Sequence, residues 1–173
     1  MMYEFPHPDR VVVGALGPAG ERRFIIQVRQ GSRMVAVEIR RDAVLSIARR
    51  IESLLREALA LGWLGEPPQT DPELGPLDAP VDVLFTVGAI GWALDTGRGA
   101  VQLEFYPGDQ EPGAAGADAL VQIWLYPSMA RQFAARARLI VASCDPSCPF
   151  CSQPVHAAGH ICPRSNGYRA PLF

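Results

Sequence analysis

The alternation of apolar and polar residues predicts strands followed by a helix in the first half of the chain. Residues 24–28 and 35–39 alternate with a two-residue period, which is typical of strands with one face on a core. The short apolar run 11–16 precedes them as a further strand. In residues 44–58 apolar side chains recur every three or four positions, which predicts an amphipathic helix, with Asp42 placed to cap its first turn.

The second half of the chain repeats this order of elements. Residues 83–94 form a long apolar run with glycines where a strand could bend. Residues 101–105 and 121–125 then alternate between apolar and polar side chains. A helix is predicted over residues 128–143, because its large apolar side chains share one helical face.

The two halves are therefore interpreted as structural repeats of three strands and a helix. These βββα units span residues 11–62 and 81–143, and a proline-rich connector, residues 65–80, joins them. We expect an α+β domain over residues 1–143, in which an antiparallel sheet carries both helices on one face. The units could join edge to edge around a pseudo-twofold axis or pack together. The order is similar, in architecture alone, to the duplicated units of the Whirly and Pur single-strand-binding proteins.

The tail, residues 144–173, carries the strongest chemical signal in the sequence. Cys148 and Cys151 are separated by two residues. Eight residues then lie between Cys151 and His160, and Cys162 follows His160 two positions later. Three thiolates and one imidazole at this spacing predict a closed tetrahedral site, and zinc is the metal that such a donor set favours. A zinc ion with four protein ligands has no open position for water, so the predicted zinc knuckle is structural.

Two other residues compete for places in this ligand set. Cys144 lies four residues before Cys148 and could replace His160, although we expect it to end the preceding helix as a partly buried thiol. His156 lies between the two ligand pairs and is expected in a loop. The sequence leaves both substitutions open.

The tail also resembles the C-terminal signature of a bacterial family of domains of unknown function. The residues that carry the resemblance are Cys148-Pro149-Phe150-Cys151, Gly159-His160, Cys162-Pro163-Arg164, Asn166-Gly167-Tyr168, Ala130-Arg131-Gln132-Phe133 and Arg136-Ala137. Ser152 departs from the family's usual glycine, and the family usually lacks a cysteine at position 144. The resemblance covers the whole chain and implies no known activity. It also implies a protein often encoded beside a phosphomutase-like and a kinase-like protein.

Composition predicts a cytoplasmic protein. The formal net charge is −2, and no apolar run is long enough to span a bilayer, so neither a membrane nor a nucleic acid is indicated by charge or hydropathy alone. The N-terminus lacks the features of a signal peptide, and residues 1–10 are expected to lie across the surface. Four cysteines within the last 30 residues are typical of a metal site in a reducing compartment.

The outer face of the sheet is the predicted binding surface. Its candidate residues, together with one from the tail, are Arg23, Arg29, Arg40, Tyr106, Trp124, Tyr126 and Arg164. Aromatic side chains among arginines and amides can stack on the bases of a single-stranded nucleic acid or close a homo-oligomer. Alternatively, the connector, the tail or a second subunit covers this face.

Two functions remain open on the sequence. The sequence contains none of the common catalytic motifs, which favours a non-enzymatic binding or assembly module with a protein or nucleic-acid partner. The alternative is an enzyme or accessory subunit that acts on a phosphorylated or nucleotide-like small molecule, with arginines as anion ligands. A carboxylate pair on the glycine-rich loop, Asp109 and Glu111, is expected to be solvated.

Overall fold

The computed structural model describes residues 1–18, 20–66, 68–108, 120–144, 148–151, 155 and 160–164. The elements in these residues are β1 (Met2–Phe5), β2 (Arg10–Leu16), β3 (Arg23–Gln30), β4 (Arg33–Ile39), α1 (Arg41–Ala60), β5 (Val83–Asp95), β6 (Ala100–Pro107), β7 (Leu120–Leu125) and α2 (Pro127–Cys144). The order within each half therefore matches the predicted three strands and a helix. The strand β1 was not predicted, since four residues are too few to establish an alternating pattern.

The described strands form one mixed sheet in the order β1-β7-β6-β5-β4-β3-β2. The prediction of an antiparallel sheet is wrong at two places, because β4 pairs with β5 and β1 pairs with β7 in parallel. The chain crosses over through α1 and the connector between β4 and β5, which is the kind of long connection that parallel neighbours require. The two units meet edge to edge, where the last strand of the first unit (β4) pairs with the first strand of the second (β5). A twofold axis would instead pair the same strand from each unit.

The sheet curls so strongly that its two edges approach each other. The edge strands β1 and β2 are separated in sequence by residues 6–9, which can span at most ~17 Å. Seven flat strands would hold the edges about 29 Å apart, since neighbouring strands lie about 4.8 Å apart. Side-chain contacts place β1 near the start of β4, two strands in from the β2 edge: Nη2 of Arg33 on β4 donates to the Glu4 carbonyl at 2.8 Å, and its guanidinium lies 4.9 Å from the centre of the Phe5 ring.

Both helices pack on one face of this sheet, as expected. Apolar residues of α1 and α2 join the inward residues of the strands in a single core cluster. The helix α1 begins at Arg41, one residue before the predicted cap. Asp42 therefore lies in the first turn, and Arg40 occupies the N-cap position without a capping hydrogen bond from its side chain.

The connector covers the opposite face of β2 and β3. Gln27 is 1% exposed, and its side-chain amide exchanges two hydrogen bonds with the backbone of Asp78, at 2.9 and 2.8 Å. Gly14 on β2 lies so close to the connector that a β-carbon there would stand 2.7 Å from Cγ of Leu77. Of the covers considered for this face, the connector is the one observed over the first unit.

Candidate metal centre

Four residues of the tail converge as a compact cluster of potential metal ligands. The ligand atoms of Cys148, Cys151, His160 and Cys162 all lie within 4.8 Å of one another. Cys148 and Cys162 are buried, and Cys151 and His160 are half-buried. These are the four residues that spacing predicted, and the structure brings all of them together from two segments of the tail.

The cluster is compact enough for one shared metal ion, and the spacing of its two buried thiols matches that of thiolates on one zinc ion. Sγ of Cys148 lies 3.7 Å from Sγ of Cys162, and Sγ of Cys151 lies 3.1 Å from Nε2 of His160. Two thiolates on one tetrahedral zinc ion stand about 3.7 Å apart, given Zn–S bonds of about 2.3 Å. A disulfide would instead require about 2.05 Å, and none of the four cysteines, all of them within the described residues, forms a disulfide.

Of the two alternative ligands, Cys144 lies outside this cluster. Cys144 is the last residue of α2 and packs, partly buried, against the main core. It therefore ends the helix as the sequence suggested. His156 lies outside the described residues, as do Asn166 and Tyr168 of the family signature.

The turns that carry the ligands expose two large apolar side chains. Phe150, between Cys148 and Cys151, is 62% exposed, and Ile161, between His160 and Cys162, is 84% exposed. Neither can add much to a hydrophobic core. Arg164, just beyond the last ligand, is also exposed.

The predicted arginines of the sheet face are dispersed among separate carboxylates. Arg23 pairs with Glu38 through two hydrogen bonds, and this pairing holds the pKa of Glu38 below its usual value. Arg29 donates to Asp78 of the connector at 3.0 Å. Arg40 lies 3.4 Å from Asp42 at the start of α1, with both side chains exposed.

The predicted aromatic residues are held in polar networks. The Tyr106 hydroxyl donates to Glu104 at 2.6 Å, and this bond raises the pKa of Tyr106 to about 12. Tyr106 is 7% exposed. Amides of Gln102 and Gln122 also donate to Glu104. The side chains of Gln102, Tyr106 and Gln122 are therefore all hydrogen-bonded to the same carboxylate within the chain.

Trp124 and Tyr126 likewise have partners within the chain. Trp124 is 8% exposed, its indole N–H donates to Asp95 at 3.1 Å, and the Arg98 guanidinium lies 4.8 Å from its ring centre. Tyr126 lies beside His7, with its hydroxyl 3.0 Å from Nδ1. These rings do not form an exposed stacking surface.

Two arginines that were not among the predicted binding residues lie close to two that were. Arg22 and Arg41 line a cavity together with Arg23 and Arg40. The signal in the sequence is a pair of consecutive arginines at the start of β3 and another at the start of α1. Sequence reasoning missed the site because the two pairs, 17 residues apart, meet only when β3 and β4 pair.

Comparisons with known proteins identify a family but no characterised relative. A family model described as "Protein of unknown function (DUF3090)" matches residues 3–162, a span that includes all four candidate ligands. No curated protein and no solved structure matches the chain. The predicted resemblance to a family of unknown function is confirmed. Neither helix in the described part of the chain has the length and hydrophobicity of a membrane-spanning segment.

Proposed function

The chain belongs to the DUF3090 family of proteins of unknown function, and we propose that it is a cytoplasmic binding or assembly module stabilised by one structural zinc ion. The observation that carries this proposal is the cluster of Cys148, Cys151, His160 and Cys162, with ligand atoms within 4.8 Å of one another. Three thiolates and one imidazole favour zinc over harder metals.

The metal is structural in this proposal because the protein supplies all four ligands. Metal-assisted hydrolysis needs a coordination position for an activated water, and a tetrahedral Cys₃His site has none. The tail also needs a source of folding energy, since Phe150 and Ile161 are exposed. Binding energy at such a site is folding energy.

The partner that the geometry favours is another protein. Phe150 and Ile161 are each flanked by ligands, so the metal would hold two exposed apolar side chains in fixed positions. Exposed apolar groups of this kind are common at protein interfaces. A second copy of this chain is one such partner. A single-stranded nucleic acid is less favoured, because Tyr106 and Trp124 are buried and hydrogen-bonded.

Metal content tests the ligand assignment. Protein purified without added metal should contain about one equivalent of zinc by elemental analysis, and Cys148→Ser should lower the content strongly. Cys144→Ser is the matched control, because it removes a thiol four residues away that lies outside the cluster, and should retain the metal. Loss of zinc in the Cys144 variant with full retention in the Cys148 variant would overturn the assignment.

Chelation tests the structural role. With a zinc chelator, hydrogen exchange should accelerate in residues 148–164, while α1 and β3 keep their protection, because their core does not include the tail cluster. Native mass spectra of the same samples would report the oligomeric state. Simultaneous loss of protection throughout the sheet would contradict a locally acting metal.

A second candidate function is an enzyme or accessory subunit that acts on a phosphorylated or nucleotide-like small molecule. The arginine-lined cavity at the start of α1 favours it. Glu38, the carboxylate among the lining residues, accepts a hydrogen bond from Arg23. A carboxylate held in this way is less suited to transfer a proton, so the cavity is better suited to ligand binding. Turnover of phosphorylated substrates by the zinc-loaded protein would raise this candidate above the first.

A further inference from the structure

A cavity of about 330 Å³ lies where β3 and β4 meet the beginning of α1. The charged residues of its lining are Arg22, Arg23, Glu38, Arg40 and Arg41. The volume is at the lower end of the range typical of small-molecule sites. The metal-ligand cluster contributes none of these residues.

Positive charge is concentrated in this cavity. Four arginines against one glutamate give its lining a formal excess of three positive charges, whereas the whole chain carries −2. A quarter of the sixteen basic residues of the protein therefore surround one cavity. Such a concave, like-charged lining attracts anions.

The position of α1 adds to the positive potential. Arg40 and Arg41 stand at the N-terminal end of a 20-residue helix, where the helix dipole already favours anions and disfavours cations. Asp42 offsets part of this charge, but its carboxylate is itself exposed beside Arg40. An anion bound between the arginines would relieve the remaining repulsion.

The hydrogen bonds around the cavity hold its wall in place. Glu38 binds Nε and Nη2 of Arg23 and so fixes that guanidinium across the β3–β4 pair. Arg41 donates to the Val141 carbonyl of α2 at 3.2 Å, which links the start of α1 to the second helix. Two of the four arginines are thus anchored from separate parts of the fold, as a preformed site requires.

We infer that this cavity binds the phosphate group of a small phosphorylated molecule through Arg22, Arg23, Arg40 and Arg41. Guanidinium groups match the oxygen geometry of phosphate with paired N–H donors, and the excess charge suits a dianion. The inference deepens the second candidate function and is independent of the zinc-stabilised module, because the site lies on the sheet and α1. Zinc content and anion affinity are therefore measured independently.

Calorimetric titration of the zinc-loaded full chain with inorganic pyrophosphate at 0.15 M salt tests the inference. We expect saturable binding of one pyrophosphate per chain and at least tenfold weaker binding by the R22Q/R40Q variant. Both side chains are exposed, so their loss should leave the melting temperature nearly unchanged. The matched control is R49Q/R50Q, which makes the same charge change on the exposed side of α1 and should stay within twofold of wild type.

A variant with the opposite expected effect sharpens the test. Glu38→Gln removes the negative charge from the lining, while the amide oxygen of glutamine can still accept one hydrogen bond from Arg23, so the variant should strengthen pyrophosphate binding severalfold. Absence of saturable binding, or equal weakening by the R22Q/R40Q and R49Q/R50Q variants, would overturn the inference. Equal weakening would mean that pyrophosphate responds to overall charge and that the cavity is not a site.

Discussion

Replacing Arg136 with methionine should lower the free energy of unfolding by about 3–5 kcal/mol. Arg136 lies on α2, and its side chain is 3% exposed. It donates to three backbone carbonyls: Nε to Val13 at 2.6 Å, Nη2 to Gly75 at 2.8 Å, and Nη1 to Glu73. One guanidinium thus joins the helix to the free edge of β2 and to the connector.

The magnitude follows from the number and kind of these bonds. Hydrogen bonds from a charged donor contribute about 1.5–3 kcal/mol each, which gives about 4.5–9 kcal/mol for three. Burial of the guanidinium offsets several kcal/mol of this, and the same desolvation lowers the pKa of Arg136. Methionine removes the burial cost but leaves the Val13 carbonyl buried without its donor. The net loss is therefore about 3–5 kcal/mol, a large part of the ~5–15 kcal/mol that stabilises a typical domain.

Urea unfolding followed by far-ultraviolet circular dichroism measures the effect. The matched control is Arg138→Met, two residues along the same helix. Arg138 forms a two-bond pair with Glu52 at 2.7 and 2.6 Å, but its side chain is 45% exposed. Exposed pairs contribute about 0–1 kcal/mol, so this variant should unfold nearly like the wild type. If the Arg136 and Arg138 variants lost the same small amount, the buried guanidinium would not be the link described here.

Two further predictions concern the outer face of the sheet. Gly14→Val should destabilise the fold by about 1–3 kcal/mol in thermal unfolding, because its β-carbon would collide with Leu77 of the connector; unchanged stability would mean that the connector does not pack on β2. Tyr106 should titrate near pH 12 by ultraviolet absorbance, and Glu104→Gln should return its pKa toward 10. Because the folded pKa is raised, the stability that this bond contributes is present below pH 10 and is lost as the pH rises towards 12. A wild-type titration identical to that of the Glu104 variant would refute the bond.

Local patterns in the sequence were sufficient for every described element except β1 and for the cluster of candidate metal ligands. The period-two alternation in β3 and the helical period in α1 depend on neighbours a few residues apart, and both elements formed as predicted. The ligand set is similarly local, since two short segments of one tail supply Cys148, Cys151, His160 and Cys162. Such patterns can be recognised in the sequence because they depend on residues that are close together along the chain and not on the overall fold.

Strand direction and side-chain burial depended on the tertiary structure. Alternation places Gln27 on a polar outer face, yet the residue is 1% exposed because the connector, 51 positions away, bonds to it. The sequence of α2 alone predicts Arg136 at the surface. The residue is buried because it donates to Val13 on the edge strand β2, 123 positions away in the sequence. The parallel pairing of β4 with β5 likewise depends on which edges meet after a crossover. A residue's own neighbours set its local conformation, whereas burial and pairing depend on distant segments that only the folded chain brings together.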